Sequence, residues 1–273
     1  MKLRPLLFVL PNLFTVSSIF CGFYVLVLAS GTADANALHL AALVTLFSNF
    51  CDTFDGRVAR MTKTQSAFGM ELDSLADVIA FGLAPGVLIY RWALEPLGLL
   101  GLLVSFAFVA CAALRLARFN VLARLDGDGG GGKFFVGLPT PIASLAIASL
   151  VIAHHRLTHG AAVDASLAPW IAAITLALAA LMVSTVTFRT FKKVGLGLPG
   201  LLLMGGSLTV AALVAGLAHP AYVLLTFCAA YVGMGLVECT AFWSGRLVSF
   251  AGTGGLRQPL DGDDDDESGP GRR

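Results

Sequence analysis

The chain has 273 residues, 57% of them hydrophobic and 13% charged, with a formal net charge of +1. Soluble chains carry about 25% charged residues, so the composition excludes an ordinary soluble domain and describes an integral membrane protein. The net charge is uninformative in itself, no nucleic-acid partner is expected, and Cys21, Cys51, Cys111, Cys228 and Cys239 show no CxxC spacing that would mark a disulfide framework or a zinc ribbon.

At the N-terminus Lys2, Arg4 and an apolar run leading to Ala35, Asn36 and Ala37 imitate a signal peptide. The apolar stretch is too long for one, which favours an uncleaved first span. Residues 3–10, stopped by Pro11, are expected to lie along the membrane surface as a short interfacial helix. Eight stretches approach the roughly 20 apolar residues that a bilayer demands: 12–30, 36–58, 73–94, 97–119, 139–156, 165–187, 197–217 and 220–243. The expected fold is all-α, a polytopic transmembrane helix bundle of about eight spans. With a cytoplasmic N-terminus, every Lys and Arg of the chain's 18 except Arg91 and Arg156 falls on the inner side. That is a strong positive-inside signal, and it places both termini in the cytoplasm.

The second and third spans carry acids where acids are expensive. Asp52 and Asp55 are three apart, Asp73 and Asp77 four apart, so each pair shares a helix face. An Asp costs roughly 2.5–3.5 kcal/mol at the bilayer centre, which calls for something positive to meet these four. Gly69 lies one turn before Asp73, while Gly56 and Ala59 follow Asp55. Small residues on a carboxylate face allow a bulky ligand to approach the backbone. Arg60 adds a planar fork suited to phosphate. Together these describe a divalent-metal site that receives a phosphate ester, with oxygen ligands favouring magnesium or manganese over zinc. Carboxylates from both helices suggest a two-metal arrangement that clamps a displacement at phosphorus. Asp77, one turn deeper than Asp73, is the natural base for an incoming hydroxyl. The plainer alternative is four acids that merely solvate or cap helix ends.

Further along, Arg115, Arg118 and Asn120 end the fourth span on the same side as the acids. They read either as ligands for a substrate carboxylate or diphosphate, or as anchors that snorkel to headgroups. The connection 121–138, with Asp126, Asp128, a run of four glycines and Lys133, begins like a calcium loop but lacks the later ligands and the closing Glu. A floppy cytoplasmic loop is expected there. Pro139 and Pro141 suit the first turn of the fifth span. His154, His155 and His159 fall on the outer side, where a solvated loop is expected. Lys192 and Lys193 read as contacts to anionic lipid. The tail from Thr253, with its run from Asp263 to Glu267, reads as disordered.

The pattern D-x-x-D-G-x-x-A-R-x8-G-x3-D-x3-D is met at every fixed position between Asp52 and Asp77. It resembles the signature of the CDP-alcohol phosphotransferases. The resemblance implies a six-helix core, a homodimer and two divalent cations, Mg2+ or Mn2+. It implies Asp52, Asp55, Asp73 and Asp77 as metal ligands, with Asp77 also as base. Gly56, Ala59, Arg60 and Gly69 are implied to contact the CDP moiety of a CDP-linked lipid. Longer stretches are similar to the integral-membrane phosphatidylserine synthase branch of that family: Ser66 to Pro85, Pro11 to Thr15, Leu114 to Asn120, Gly137 to Pro141, and Leu181 to Phe188 with Lys192 and Lys193 after it. They imply CDP-diacylglycerol and L-serine as substrates. Asn12 and Thr15 are implied on the donor side, or Thr15 is a helix cap. Arg115, Arg118, Asn120, Lys192 and Lys193 are implied around serine or the diphosphate.

This resemblance covers about residues 5 to 195 and yields a division into three parts. Residues 1–195 form a catalytic core, 196–245 two additional transmembrane helices, and 246–273 a cytoplasmic acidic tail. The alternatives are the same chemistry with glycerol phosphate or inositol phosphate as acceptor, an archaeal ether-lipid donor, or a divalent-cation transporter. Transport does not need Gly56, Ala59 and Arg60 in this phase, and no internal repeat is evident.

Overall fold

The computed structural model describes residues 4–31, 34–62, 67–125, 134–189 and 222–233. Helices α1 (Arg4–Ser30) and α2 (Ala35–Thr62) form a closely packed antiparallel pair. A hydroxyl pair, Ser18 Oγ and Ser48 Oγ at 2.9 Å, joins them in the buried interface. The separate surface helix expected over 3–10 is absent, because α1 runs unbroken through Pro11. A proline removes one hydrogen bond without forcing an apolar helix to end.

The third span is one helical run assembled from several pieces. Helix α3 (Ala67–Asp77) passes through a π-helical turn, Val78–Leu83, into α4 (Ala84–Ile89). A second π turn, Tyr90–Leu94, leads to a 3-10 turn, Glu95–Leu97. Each π turn comes just before a proline, Pro85 or Pro96. Proline lacks the N–H that would bond the carbonyl four residues back, and its ring crowds that carbonyl. Widening the preceding turn relieves both problems, and the Ala84 and Glu95 amides accordingly reach back five residues, to Ile79 O and Tyr90 O.

Glycines let this composite span be gripped closely on two sides. A Cβ on Gly22 of α1 would lie 3.1 Å from Ala80 Cα, so α1 rests against the first π turn. Across the other side, α5 (Leu99–Leu125) fits into the notch of Gly82 and Gly86, where a Cβ on Gly86 would lie 2.5 Å from Val109 Cγ2. Small residues four apart are the usual means of close helix approach in membranes. Ser105 Oγ donates to the Gly86 carbonyl within the same contact.

Helices α6 (Thr140–Leu157) and α7 (Ala168–Val183) complete the bundle, α7 being preceded by a 3-10 turn, Ala165–Leu167. Asp164 caps that turn, accepting from Ser166 N at 2.9 Å, and this bond holds its carboxyl below the usual carboxylate range. Two expectations are corrected here. The sixth span stops at Val183 rather than 187, with Ser184 extended. Residues Thr187–Arg189 then form a strand, β2, antiparallel to β1 (Phe134–Val136), with Phe135 opposite Phe188. Part of the supposedly floppy connection 121–138 is therefore paired backbone. The turn is fixed by Gly137, at φ 83°, whose N–H donates to Val186 O at 2.8 Å, and by Leu138 N–H to Leu181 O at 2.9 Å. Thr185 to Phe188, all β-branched or aromatic, suit the extended state. The rest of the fold is helical, as expected.

Among the described residues five helical segments are long and apolar enough to cross a membrane: Leu13–Ser30, Ala35–Phe54, Phe68–Leu97, Leu99–Leu122 and Ala165–Val183. Helix α6 is 18 residues long and ends on His154, His155 and Arg156. The expected seventh span lies outside the described residues, and the eighth is represented by a shorter apolar helix, α8 (Tyr222–Gly233). The main core gathers Phe108, Leu138, Ile147 and Met182 with Cys228 and Tyr231 of α8; a second cluster packs Val25, Leu38, Leu88 and Val151.

Candidate metal centre and active site

Asp52 lies in the last part of α2, and Asp73 and Asp77 lie one turn apart on α3. The fold brings all three half-buried side chains together, with one carboxylate oxygen from each within 4.8 Å of the others. Three carboxylates that close repel one another strongly in a medium of low polarity, and cations between them remove the repulsion. Oxygen donors alone, with no His or Cys in the group, suit a hard divalent ion. Gly69 stands one turn before Asp73 on α3. Asp55, Gly56, Ala59 and Arg60 continue α2 beyond Asp52, and Asn12 belongs to α1; their side chains lie outside the described residues. Lys192 and Lys193 lie outside them altogether.

Polar side chains gather toward the same end of the bundle. Thr15 is buried on α1, next to the level of the Ser18–Ser48 pair. One residue beyond Ser48, Asn49 donates to Ser144 Oγ of α6 at 3.1 Å. Asn120, at the end of α5, donates to Ser74 Oγ at 2.8 Å, tying α5 to the residue after Asp73. Arg115 is only 7% exposed; its Nη1 donates to Thr140 Oγ1 at 3.1 Å and its guanidinium lies 6.0 Å from the centre of the Phe119 ring. It also lies within electrostatic reach of Asp77.

Arg118 also has a structural task that the sequence did not suggest. Its guanidinium donates to the carbonyls of Val183 at 3.0 Å and Ser184 at 3.3 Å, closing the C-terminal end of α7. A cation at that position satisfies carbonyls that have no partner within the helix and meets the negative end of its dipole. Ser18, Ser48, Asn49, Ser74, Thr140 and Ser144 were not singled out by sequence. Their signal was there, as hydroxyls and an amide on inward faces of apolar spans, but in membranes such residues serve packing as readily as chemistry.

The opposite end of the bundle corrects the reading of His154 and His155, while His159 is exposed in a turn as expected. His154 and His155 close α6 and are half-buried rather than solvated. His155 stacks on His39 of α2, ring centres 4.1 Å apart, and His154 meets Trp92 edge-on at 5.4 Å. With Arg91 and Glu95, paired at 2.7 Å, they border a cavity of about 510 Å³. Asp52 is 17 residues along α2 from Ala35 at that cavity, about 26 Å at 1.5 Å per residue.

Spans of membrane length with carboxylates gathered at one end define a multi-pass membrane protein with an acidic site between its second and third spans. The chain belongs to the CDP-alcohol phosphatidyltransferase family, an enzyme family that uses divalent metals, and the match extends over residues 8–238, through α8. It is 37% identical over 194 residues to the CDP-diacylglycerol–serine O-phosphatidyltransferase of Helicobacter pylori strain 26695, covering 71% of this chain and 77% of that protein. The Bacillus subtilis protein of the same name is 32% identical over 184 residues, 67% of this chain and 92% of its own length. An archaetidylserine synthase of Methanothermobacter thermautotrophicus is 40% identical over 145 residues, 52% of this chain and 58% of that protein.

Proposed function

We propose that the chain transfers the phosphatidyl group of CDP-diacylglycerol to the hydroxyl of L-serine, giving phosphatidylserine and CMP. The observation that carries this reading is the convergence of Asp52, Asp73 and Asp77 from two spans onto one point. The names of the relatives differ in the lipid and agree in serine, which supports the acceptor.

In this reading Asp52, Asp55, Asp73 and Asp77 hold two divalent cations, Mg2+ or Mn2+. When bound, these neutralise the diphosphate and make its phosphorus easier to attack. Gly56, Ala59 and Gly69 leave room for the nucleotide against the helix backbones, Arg60 meets its phosphates, and Asn12 and Thr15 border the donor from α1. The Asp77 carboxylate accepts the serine hydroxyl proton as the serine oxygen bonds to phosphorus and the bond to CMP breaks. Arg115 faces the serine carboxylate. Arg118 and Asn120 stand beside it toward serine or the diphosphate, Asn120 also holding α5 to α3 and Arg118 securing the end of α7, and Lys192 and Lys193 act at the membrane surface or on the diphosphate.

The charge distribution along the chain supports a cytoplasmic active site and cytoplasmic termini in the cell membrane. Residues 1–195 hold the catalytic residues, 196–245 supply further helices and 246–273 an acidic tail; the working form is a homodimer. Purified protein given CDP-diacylglycerol and manganese, with labelled serine, glycerol phosphate and inositol phosphate in parallel, tests the reading. Label is expected in lipid from serine alone. Transfer from glycerol phosphate and not from serine overturns the acceptor while leaving the chemistry at phosphorus intact.

A further inference from the structure

Arg115 is a long cation held inside an apolar bundle, and its surroundings do not use all of its donors. A guanidinium offers five N–H groups. Thr140 takes one, Phe119 offers only the face of its ring, and Nε is buried with no hydrogen-bond partner among the described residues. A buried donor left unmatched is costly. Such a site is explained by a ligand that completes it, and a planar guanidinium with an unmatched Nε suits a carboxylate.

The C-terminal part of the chain reaches the neighbourhood of this side chain. Tyr231 of α8 is 6% exposed and shares one buried cluster with Ala112, Leu138 and Met182. Ala112 lies three residues before Arg115 on α5, and Leu138 two residues before Thr140. Cys228, three residues before Tyr231 and thus on the same face of α8, belongs to the same cluster. The Cys228–Tyr231 face of α8 therefore belongs to the same buried cluster as the neighbours of Arg115 and Thr140. The Tyr231 phenol is also within electrostatic reach of the guanidinium, as Asp77 is.

We propose that α8 forms part of the acceptor side of the active site, with Tyr231 a positioning residue that holds Arg115 aimed at the substrate carboxylate. This rests on the serine reading and extends it to a helix to which no role in the site had been given.

The test uses the full chain in detergent–lipid micelles with CDP-diacylglycerol and manganese. Tyr231→Phe keeps the ring and its packing but removes the hydroxyl. It is expected to raise the KM for serine about tenfold, the order of effect when a polar neighbour of a charged group is removed. The KM for CDP-diacylglycerol and kcat should stay within about twofold, since only the acceptor is misplaced. On an Arg115→Lys background the same change should add less than about twofold, because the two act as one unit. An unchanged serine KM in Tyr231→Phe, or a lower thermal midpoint with equal losses for donor and acceptor, overturns the proposal and leaves α8 as packing. Serine incorporation by the unaltered chain with no KM shift in the variant sinks this proposal alone. Absence of serine incorporation by the unaltered chain sinks the serine reading and the proposal together.

Discussion

Asp77 lies where the third span meets Asp52 of the second, within electrostatic reach of Arg115. Replacing its carboxylate with an amide of the same shape removes the charge and the proton acceptor but leaves the packing of α3 unchanged. Asp77→Asn is therefore expected to lower serine incorporation by about 10²–10⁴-fold, the usual worth of a positioned acid or base, with unaltered helical circular dichroism. A variant that stays within about tenfold of the original rate rules out Asp77 as the base. Chelation of divalent ions should abolish turnover in the unaltered chain, and manganese or magnesium should restore it where sodium does not. A rate indifferent to chelator removes the metals from the scheme. The acids were legible in the sequence because three- and four-residue spacing states a shared helix face before any fold is known. The fate of Arg118 was not, since its partners are backbone carbonyls 65 and 66 residues away that become free only where α7 happens to end.

Helices in this protein are set by prolines and glycines as much as by apolar runs. The two π turns of the third span precede Pro85 and Pro96, and both follow α3, where Asp73 and Asp77 share one face. Gly86 shows how tight that fit is. A methyl group there would overlap Val109 Cγ2, so Gly86→Ala is expected to cost about 1–3 kcal/mol of stability, the usual range for overpacking a close contact. Thermal unfolding in detergent measures this, and Val109→Ala in the same chain should recover most of the loss by making room. Recovery by Val109→Ala would tie the cost to this one contact; a loss that persists would place it in the helix backbone instead. The spans themselves were readable from length and hydropathy, which are properties of each segment alone. The β1–β2 pairing was not, because three-residue strands have no periodicity to read and depend on a turn at Gly137 and a helix end secured from α5.

Across the whole molecule two polar ends are separated by apolar bundle. One holds the carboxylates with Arg115 and Asn120, the other the histidines with the Arg91–Glu95 pair. A nucleotide-linked substrate made in the cytoplasm demands that the carboxylate end face inward, which agrees with the skew of Lys and Arg along the chain. Orientation is legible in the skew of charge along the sequence, because helix packing is the same whichever end faces the cytoplasm. Thiol labelling in intact cells decides it. Cys21, Cys51 and Cys228 are buried and Cys111 is half-buried, so a Cys239→Ser chain offers a quiet background. In that background Ala162→Cys, exposed beside the histidine cavity, is expected to react with a membrane-impermeant maleimide in intact cells. Gly130→Cys, in the connection between α5 and β1, is expected to react only after the cells are permeabilised. The reverse pattern would put the carboxylates outside, away from the cytoplasmic nucleotide pool. No arrangement of Asp52, Asp73 and Asp77 would then rescue a CDP-linked donor as the substrate.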